Sequence, residues 1–133
     1  MSTDVFQLTR LPFGRAIKVL RTGLAPKDFD TVAKALQIRS DVLAEKLGIS
    51  VRTLRYQRSK KTLSPENSEK LFRAARVHEE ARKVFTSDAA VSQWLVSPAP
   101  ALGGRVPLEL LDTDIGAREV ENVLQGIAYG NVM

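Results

Sequence analysis

The 133-residue chain has no cysteine and one histidine. The first absence excludes a disulfide framework, a thiolate nucleophile and any cysteine-bound metal. The second leaves little room for histidine chemistry. His78 stands beside Glu79 and Glu80, and adjacent positions on a helix point in different directions rather than converging on a ligand. His78 is therefore expected to be a solvated surface side chain, and no metal or cofactor is expected. Aromatic residues make up only 6%, with one Trp and two Tyr. No apolar run approaches the roughly 20 residues needed to span a bilayer. The first residues, Met1-Ser2-Thr3-Asp4, lack the basic-then-apolar order of a secretory signal. The expectation is a soluble, cytoplasmic protein. Alternating β-branched or aromatic runs joined by Asn-Gly or Asp-Gly turns are also missing, so strands are not expected. Gly103-Gly104 lacks the strand-before, helix-after setting of a phosphate loop and reads as a turn. With no nucleophile or nucleotide-binding motif, the chain does not read as an enzyme.

What is present is a core-forming, basic composition. Hydrophobic residues reach 44% and charged residues 26%, with a net charge of +5, which fits a folded chain with a polyanionic partner. The charge is unevenly placed. Through Phe85 there are 18 Lys+Arg against 9 Asp+Glu, and from Thr86 onward 2 against 6. The two parts face different electrostatic tasks.

Helical spacing recurs along the chain. Ala16, Val19 and Leu20 share a face, as do Phe29, Val32, Ala33 and Leu36, with Pro26 suited to a first turn. Two short helices are expected over Ser40–Leu47 and Val51–Lys60. A long one begins at Ser64-Pro65-Glu66, where Ser64 suits the cap and Glu66 and Glu69 the positive helix end. It is expected to run to about Phe85 with Leu71, Phe72, Ala75 and Val84 buried. A further helix is expected over Ala89–Val96, with Trp94 as a core anchor. A Pro- and Gly-rich loop spans Ser97 to Pro107, and a short apolar helix holds Leu108, Leu110 and Leu111. Asp112-Thr113-Asp114 offers caps for a last helix carrying Val120, Val123, Leu124 and Ile127. The expected fold class is all-α: residues 1–63 an N-terminal helical DNA-binding region with its helix-turn-helix at about 40–60, residues 64–85 a linking helix, and residues 86–133 a small helical C-terminal module. No role is assigned to Met1 through about Lys27, beyond extra helices that cover the helix-turn-helix or join subunits.

The strongest local signal runs from Leu43 to Leu54, LAEKLGISVRTL. Ala44 is small enough for a second helix to cross closely. Gly48 can take the left-handed conformation that ends the first helix. Ile49 is an apolar plug, Ser50 a cap for the next helix, and Leu47 and Leu54 face the core. This pattern resembles the helix-turn-helix of bacterial repressors of the Xre type. The second helix would enter the major groove. Between Ser50 and Lys61 lie five basic residues and no acid. Arg52 and Arg55 are the expected base readers, since a guanidinium can bond two guanine acceptors at once. Ser50, Thr53, Tyr56, Arg58, Lys60 and Lys61 are the expected phosphate contacts. An inert helix pair with a solvated basic face is the alternative.

In the C-terminal third, Gln93-Trp94-Leu95, Pro98, Leu102-Gly103-Gly104, Pro107-Leu108-Glu109-Leu110-Leu111, Asp114-Ile115-Gly116, Glu119-Val120-Glu121 and Leu124 through Gly130 follow in order. This resembles the toxin-binding domain of the MbcA/ParS/Xre antitoxin family. The resemblance implies an antitoxin of a type II toxin–antitoxin system, paired with a RES-domain toxin that degrades NAD⁺. It implies that the C-terminal segment covers the toxin's active site and that the protein, or its complex, represses its own promoter by binding operator DNA. Expected toxin contacts are Glu119, Val123, Ile127, Tyr129, Gly130, Asn131, Val132 and Met133. An apolar tail at a chain end that would otherwise fray needs such a reason. Glu119 and Glu121 could meet the basic groups that normally hold NAD⁺ phosphates. Val120 and Leu124 are better read as this protein's own core. Expected partners are thus the toxin, operator DNA, and either a second copy of the chain or a toxin-bridged hetero-oligomer. A stand-alone helix-turn-helix regulator whose C-terminal module serves only oligomerisation is the other reading.

Overall fold

The computed structural model describes residues 4–130. It contains eight α-helices: α1 (Val5–Leu8), α2 (Phe13–Thr22), α3 (Lys27–Leu36), α4 (Ser40–Lys46), α5 (Val51–Arg58), α6 (Pro65–Arg82), α7 (Asp88–Leu95) and α8 (Asp114–Ala128). Two 3₁₀ turns, Pro100–Leu102 and Pro107–Leu110, lie between α7 and α8. The described residues hold no strand, only one isolated bridge between Ala99 and Arg105. The all-α expectation is met, and none of these helices is long and apolar enough to cross a membrane.

Local chemistry starts most of these helices. Asp4 and Gln7 form a reciprocal capping box on α1. Ser64 caps α6 by accepting from the Asn67 N–H at 3.1 Å, with Pro65 in the first turn. Ser87 does the same for α7 and Thr113 for α8. The cap of α8 is therefore the threonine of Asp112-Thr113-Asp114. Asp114 instead pairs with Arg118 one turn on, at 3.0 Å.

The 18-residue α6 is the axis of the molecule. It packs against α1, α2, α3, α7 and α8, and a helix contacted on several sides must bury more than one stripe. Leu71, Ala74, Ala75, Val77 and Ala81 are all fully buried. The small alanines let neighbouring helices approach, and each fully buried leucine contributes about 2 kcal/mol of transfer free energy. Phe72 and Val84, expected in this stripe, are only half-buried against the core edge.

The same crowding corrects the reading of His78. It is buried, not solvated, with 6% exposure. Its ring packs on Phe6 of α1 at 5.2 Å between centroids, and Nε2 lies 3.1 Å from Asp88 Oδ1 at the start of α7. Nδ1 is buried without a partner.

One continuous core joins the N-terminal helices to the C-terminal ones. Lys46 of α4 pairs with Glu109 of the second 3₁₀ turn at 3.1 Å, and α3 packs on α7. The connection before α3 is pinned to α6: the Leu24 N–H donates to buried Ser68 Oγ at 2.8 Å, and the Leu63 N–H donates to the Leu24 carbonyl at 2.7 Å. The helix-turn-helix and α8 are thus held on one rigid frame.

Candidate nucleic-acid and partner interfaces

The turn between α4 and α5 follows from three consecutive residues. Gly48 has φ +76, the left-handed region that glycine enters without Cβ strain. The Ile49 N–H then reaches back to the Ala44 carbonyl at 2.8 Å, the six-to-one bond of a Schellman end. Ile49 is buried, with Leu43, Ala44, Leu47 and Leu54. Ser50 Oγ accepts the Thr53 N–H at 3.0 Å and donates to Thr53 Oγ1 at 2.8 Å. Two hydroxyls and one backbone donor are therefore committed to fixing the first turn of α5.

With Leu54 turned into the core, the opposite face of α5 meets solvent. Arg52, Arg55 and Tyr56 are exposed on that face, at the i, i+3 and i+4 spacing that places side chains together. Neither Arg52 nor Arg55 has an ion pair among the described residues. Lys60 sits 4.8 Å from the centre of the Tyr56 ring, and Lys61 follows it in the exposed turn. Arg58 is placed differently. Its guanidinium holds both Asp30 oxygens, at 2.7 and 3.1 Å, and Asp30 also accepts from Ser40 Oγ at 2.6 Å. The Arg58 hydrogen bond is the main reason the Asp30 carboxyl sits below its ordinary pKa. Arg58 therefore ties α5 to α3 and is not free for phosphate in this arrangement.

The second surface is on α8. Ala117, Val120 and Leu124 are buried, and α8 packs along α6. Val123 and Ile127 are half-buried at the edge of that contact. Glu119 faces solvent, and Tyr129 is 86% exposed just before Gly130. Glu121 is not available as expected, because Arg76 of α6 holds its Oε1 from Nε at 3.0 Å and Nη2 at 2.8 Å. Asn131, Val132 and Met133 lie outside the described residues. Trp94, expected as a core anchor, is half-buried against Phe85 at 5.8 Å and lines an open apolar groove with Ala89, Ala90 and Gln93.

Gly116 decides how α8 begins. A Cβ there would run into the Leu110 carbonyl oxygen. The first turn of α8 thus rests directly on the backbone of the second 3₁₀ turn, a contact only glycine permits. Beside it is a cavity of about 390 Å³ whose walls include Leu102, Arg105, Leu110 and Glu119.

Two family profiles cover most of the chain. Residues 15–76 match the antitoxin Xre-like helix-turn-helix domain, and residues 80–130 match the antitoxin Xre/MbcA/ParS C-terminal toxin-binding domain. The "Prs ADP-ribosylating antitoxin" of Sphingobium sp. (strain YBL2) is 32% identical over 124 residues, which is 86% of this chain and 78% of that one. The chain belongs to the Xre/MbcA/ParS antitoxin family. "Antitoxin Xre" of Yersinia enterocolitica is 28% identical to this antitoxin over 84% of its length and 76% of the relative's. "Antitoxin Xre" of Pseudomonas putida is 32% identical over 62% of it, and there the match spans about half of the relative, 52%. A chain in the crystal structure of the M. tuberculosis MbcT–MbcA toxin–antitoxin complex superposes with a TM-score of 0.63 at 18% identity. The match covers 81% of this antitoxin and 96% of that chain, and it shows a shared fold.

The protein is thus an antitoxin of a toxin–antitoxin system, with a helix-turn-helix domain and a cognate toxin as partner. Two residues of its α8 face escape a reading from helical spacing alone. Ile115 is 78% exposed and Asn122 is exposed. With Glu119, Gly126 and Tyr129 they follow one ridge at three- and four-residue steps. A large exposed aliphatic in the first turn is the available signal, but it separates from core leucines only once the helix is seen docked.

Proposed function

We propose that this antitoxin works at two separate surfaces. The exposed α8 ridge and the residues beyond Tyr129 cover the active-site cleft of a RES-domain toxin that consumes NAD⁺. The outer face of α5 binds operator DNA in the cytoplasm, so the protein represses its own promoter. The observation that carries this reading is the chemical split between the two faces. On α5, Arg52 and Arg55 are exposed and have no ion pair among the described residues, while the one cation of α8, Arg118, is already held by Asp114.

On DNA, Arg52 and Arg55 read guanine edges, while Tyr56, Lys60 and Lys61 hold phosphates and the Ser50–Thr53 cap fixes the turn that presents them. Arg58, through Asp30, sets the angle of α5. On the toxin, Ile115 and Tyr129 anchor the two ends of the ridge, with Val123 and Ile127 beneath. Glu119 meets a cation that otherwise holds NAD⁺ phosphate, and Gly130, Asn131, Val132 and Met133 continue into the cleft. ADP-ribosylation, which the name of the Sphingobium relative carries, takes its ADP-ribose from NAD⁺ and supports an NAD⁺-consuming partner. Inhibition is by occupancy, without catalysis. The DNA-bound form pairs two helix-turn-helix units, which requires a homo-oligomer or a toxin-bridged assembly.

The test measures cellular NAD⁺ and growth in a bacterial host expressing the toxin encoded beside this gene. It compares no antitoxin, the full chain, the chain ending at Gly126, and full-length Tyr129→Glu. NAD⁺ is expected to collapse alone, recover with the full chain, and collapse again with either variant. Protection by the two variants equal to that of the full chain would overturn the α8 assignment, and a harmless neighbour would overturn the RES-toxin one.

A further inference from the structure

From Ala89 to Gly104 the chain runs sixteen residues without a charge, although 26% of all its residues are charged. Much of this stretch is not core. Ala89, Gln93, Pro98, Pro100 and Ala101 are exposed, and Val96 is 48% exposed. At one end is the open groove of α7, about 490 Å³, where half-buried Trp94 and Phe85 stand beside Ala89 and Ala90. At the other end Ala101, Leu102 and Gly103 share the cavity of about 390 Å³ with Gly116 and Glu119 of α8. The uncharged belt therefore adjoins the exposed α8 ridge. Its loop is held in shape, because the Ala99 N–H donates to the Arg105 carbonyl at 3.0 Å and the Gly104 N–H donates to the Ala99 carbonyl at 3.0 Å.

We propose that this belt is a second docking surface for the cognate toxin, outside the toxin's active-site cleft, with the α7 groove taking an apolar side chain of the toxin against Trp94. Three observations point to the toxin as occupant. The belt lies within residues 80–130, which match the toxin-binding domain. It meets the α8 ridge at the shared cavity, so a toxin seated on α8 has the belt beside it. Its composition is that of an interface centre, where charges are depleted and Trp is enriched. Size argues the same way. The 15-residue α8 is about 22 Å long at 1.5 Å per residue, and a ridge about 10 Å wide along it offers on the order of 250 Å². A specific interface buries about 800 Å² on each partner. The residues beyond Tyr129 add to the ridge, and adjoining surface must supply the rest. The two surfaces divide the work: the α8 ridge blocks the cleft, and the belt holds the toxin. A loop already ordered before docking loses little entropy when it is covered.

This inference rests on the reading of α8 as the toxin-facing helix, and titration calorimetry with the purified toxin and the full-length antitoxin tests the two apart. Ala89→Glu and Val96→Lys put opposite charges at exposed positions, so a loss common to both reports the lost apolar contact. Each is expected to raise the Kd for the toxin about 10-fold or more. Inhibition of NAD⁺ consumption should stay complete once the toxin is saturated. Ala89→Trp, which fills the groove without adding charge, should weaken binding in the same way. Helical circular dichroism and the unfolding midpoint should not move in these variants, because both positions are exposed. Tyr129→Glu should do the reverse, leaving toxin bound through the belt while NAD⁺ consumption persists at saturation. A Kd within about twofold of wild type for Ala89→Glu and Val96→Lys would overturn the proposal, as would wild-type binding by Ala89→Trp. A drop in the antitoxin's own mass by sedimentation equilibrium in these variants would assign the belt to a second copy and overturn it too. Full inhibition by Tyr129→Glu would overturn the α8 reading alone, and with a toxin that leaves NAD⁺ intact the Kd comparison still decides.

Discussion

Arg58 on α5 grips the carboxylate of Asp30 on α3 through two hydrogen bonds, 2.7 and 3.1 Å long. The pair links residues 28 positions apart and sets the seat of α5 against α3.

Asp30→Asn should therefore weaken operator binding without removing any group that touches DNA. The pair is more than a third exposed, so its share of stability is under about 1 kcal/mol and falls further in high salt. Its pH dependence has a definite sign. The folded Asp30 carboxyl is below its ordinary pKa, so its contribution is complete above the unfolded value. It disappears as pH falls through the lowered folded value. Thermal unfolding of wild type and Asp30→Asn should differ at neutral pH and converge in strong acid.

Asp28, two residues earlier, should behave oppositely. It is 6% exposed, and burial, followed by repulsion from Asp4, raises its carboxyl above the ordinary range. A raised carboxyl favours the fold when protonated and loses that advantage as pH rises through the folded pKa. Asp28→Asn is expected to raise the midpoint of unfolding at neutral pH relative to wild type, with the gain shrinking as pH falls. A constant difference across pH would refute this.

Arg52→Ala and Arg55→Ala should each cost about 1–3 kcal/mol of operator affinity and relax preference at the base they read. Neither should change stability by more than about 0.5 kcal/mol, because neither has an ion pair among the described residues. Lys60→Ala and Lys61→Ala should instead flatten the salt dependence of binding uniformly across sequences. Gel-shift titrations at several salt concentrations separate the two classes.

Gly116→Ala is expected to destabilise the protein by about 1–3 kcal/mol through overpacking on the Leu110 carbonyl. Because the strain falls between α8 and the second 3₁₀ turn, toxin neutralisation should suffer more than DNA binding. Urea unfolding and a toxin-binding assay on the same preparation check both parts.

His78→Ala should cost about 2–4 kcal/mol, since it leaves a cavity beneath Phe6 and removes the contact with Asp88. His78→Leu should cost less, because it also removes the buried, partnerless Nδ1. Equal losses in the two variants would show that the polar contact dominates.

Much of the helix-turn-helix was legible in the sequence because its determinants are local. Gly48 needs only its own φ, Ser50 caps a donor three residues away, and Ile49 closes a bond to Ala44. The caps at Ser64 and near Thr113 were legible for the same reason, as was the burial of Val120 and Leu124, whose four-residue spacing marks one face. What lay outside the sequence depends on which other element arrives at a surface. His78 looks solvated among glutamates, yet α1 and α7 close over it from sites far apart in the chain. Arg58 and Glu121 look like free charges, yet Asp30 and Arg76 reach them across 28 and 45 positions. Phe13 and Ile17 stay exposed because the covered side of α2 is that of Ala16. Periodicity determines that a helix has an apolar face. Only packing decides which face is covered, and so which side chains remain for a partner.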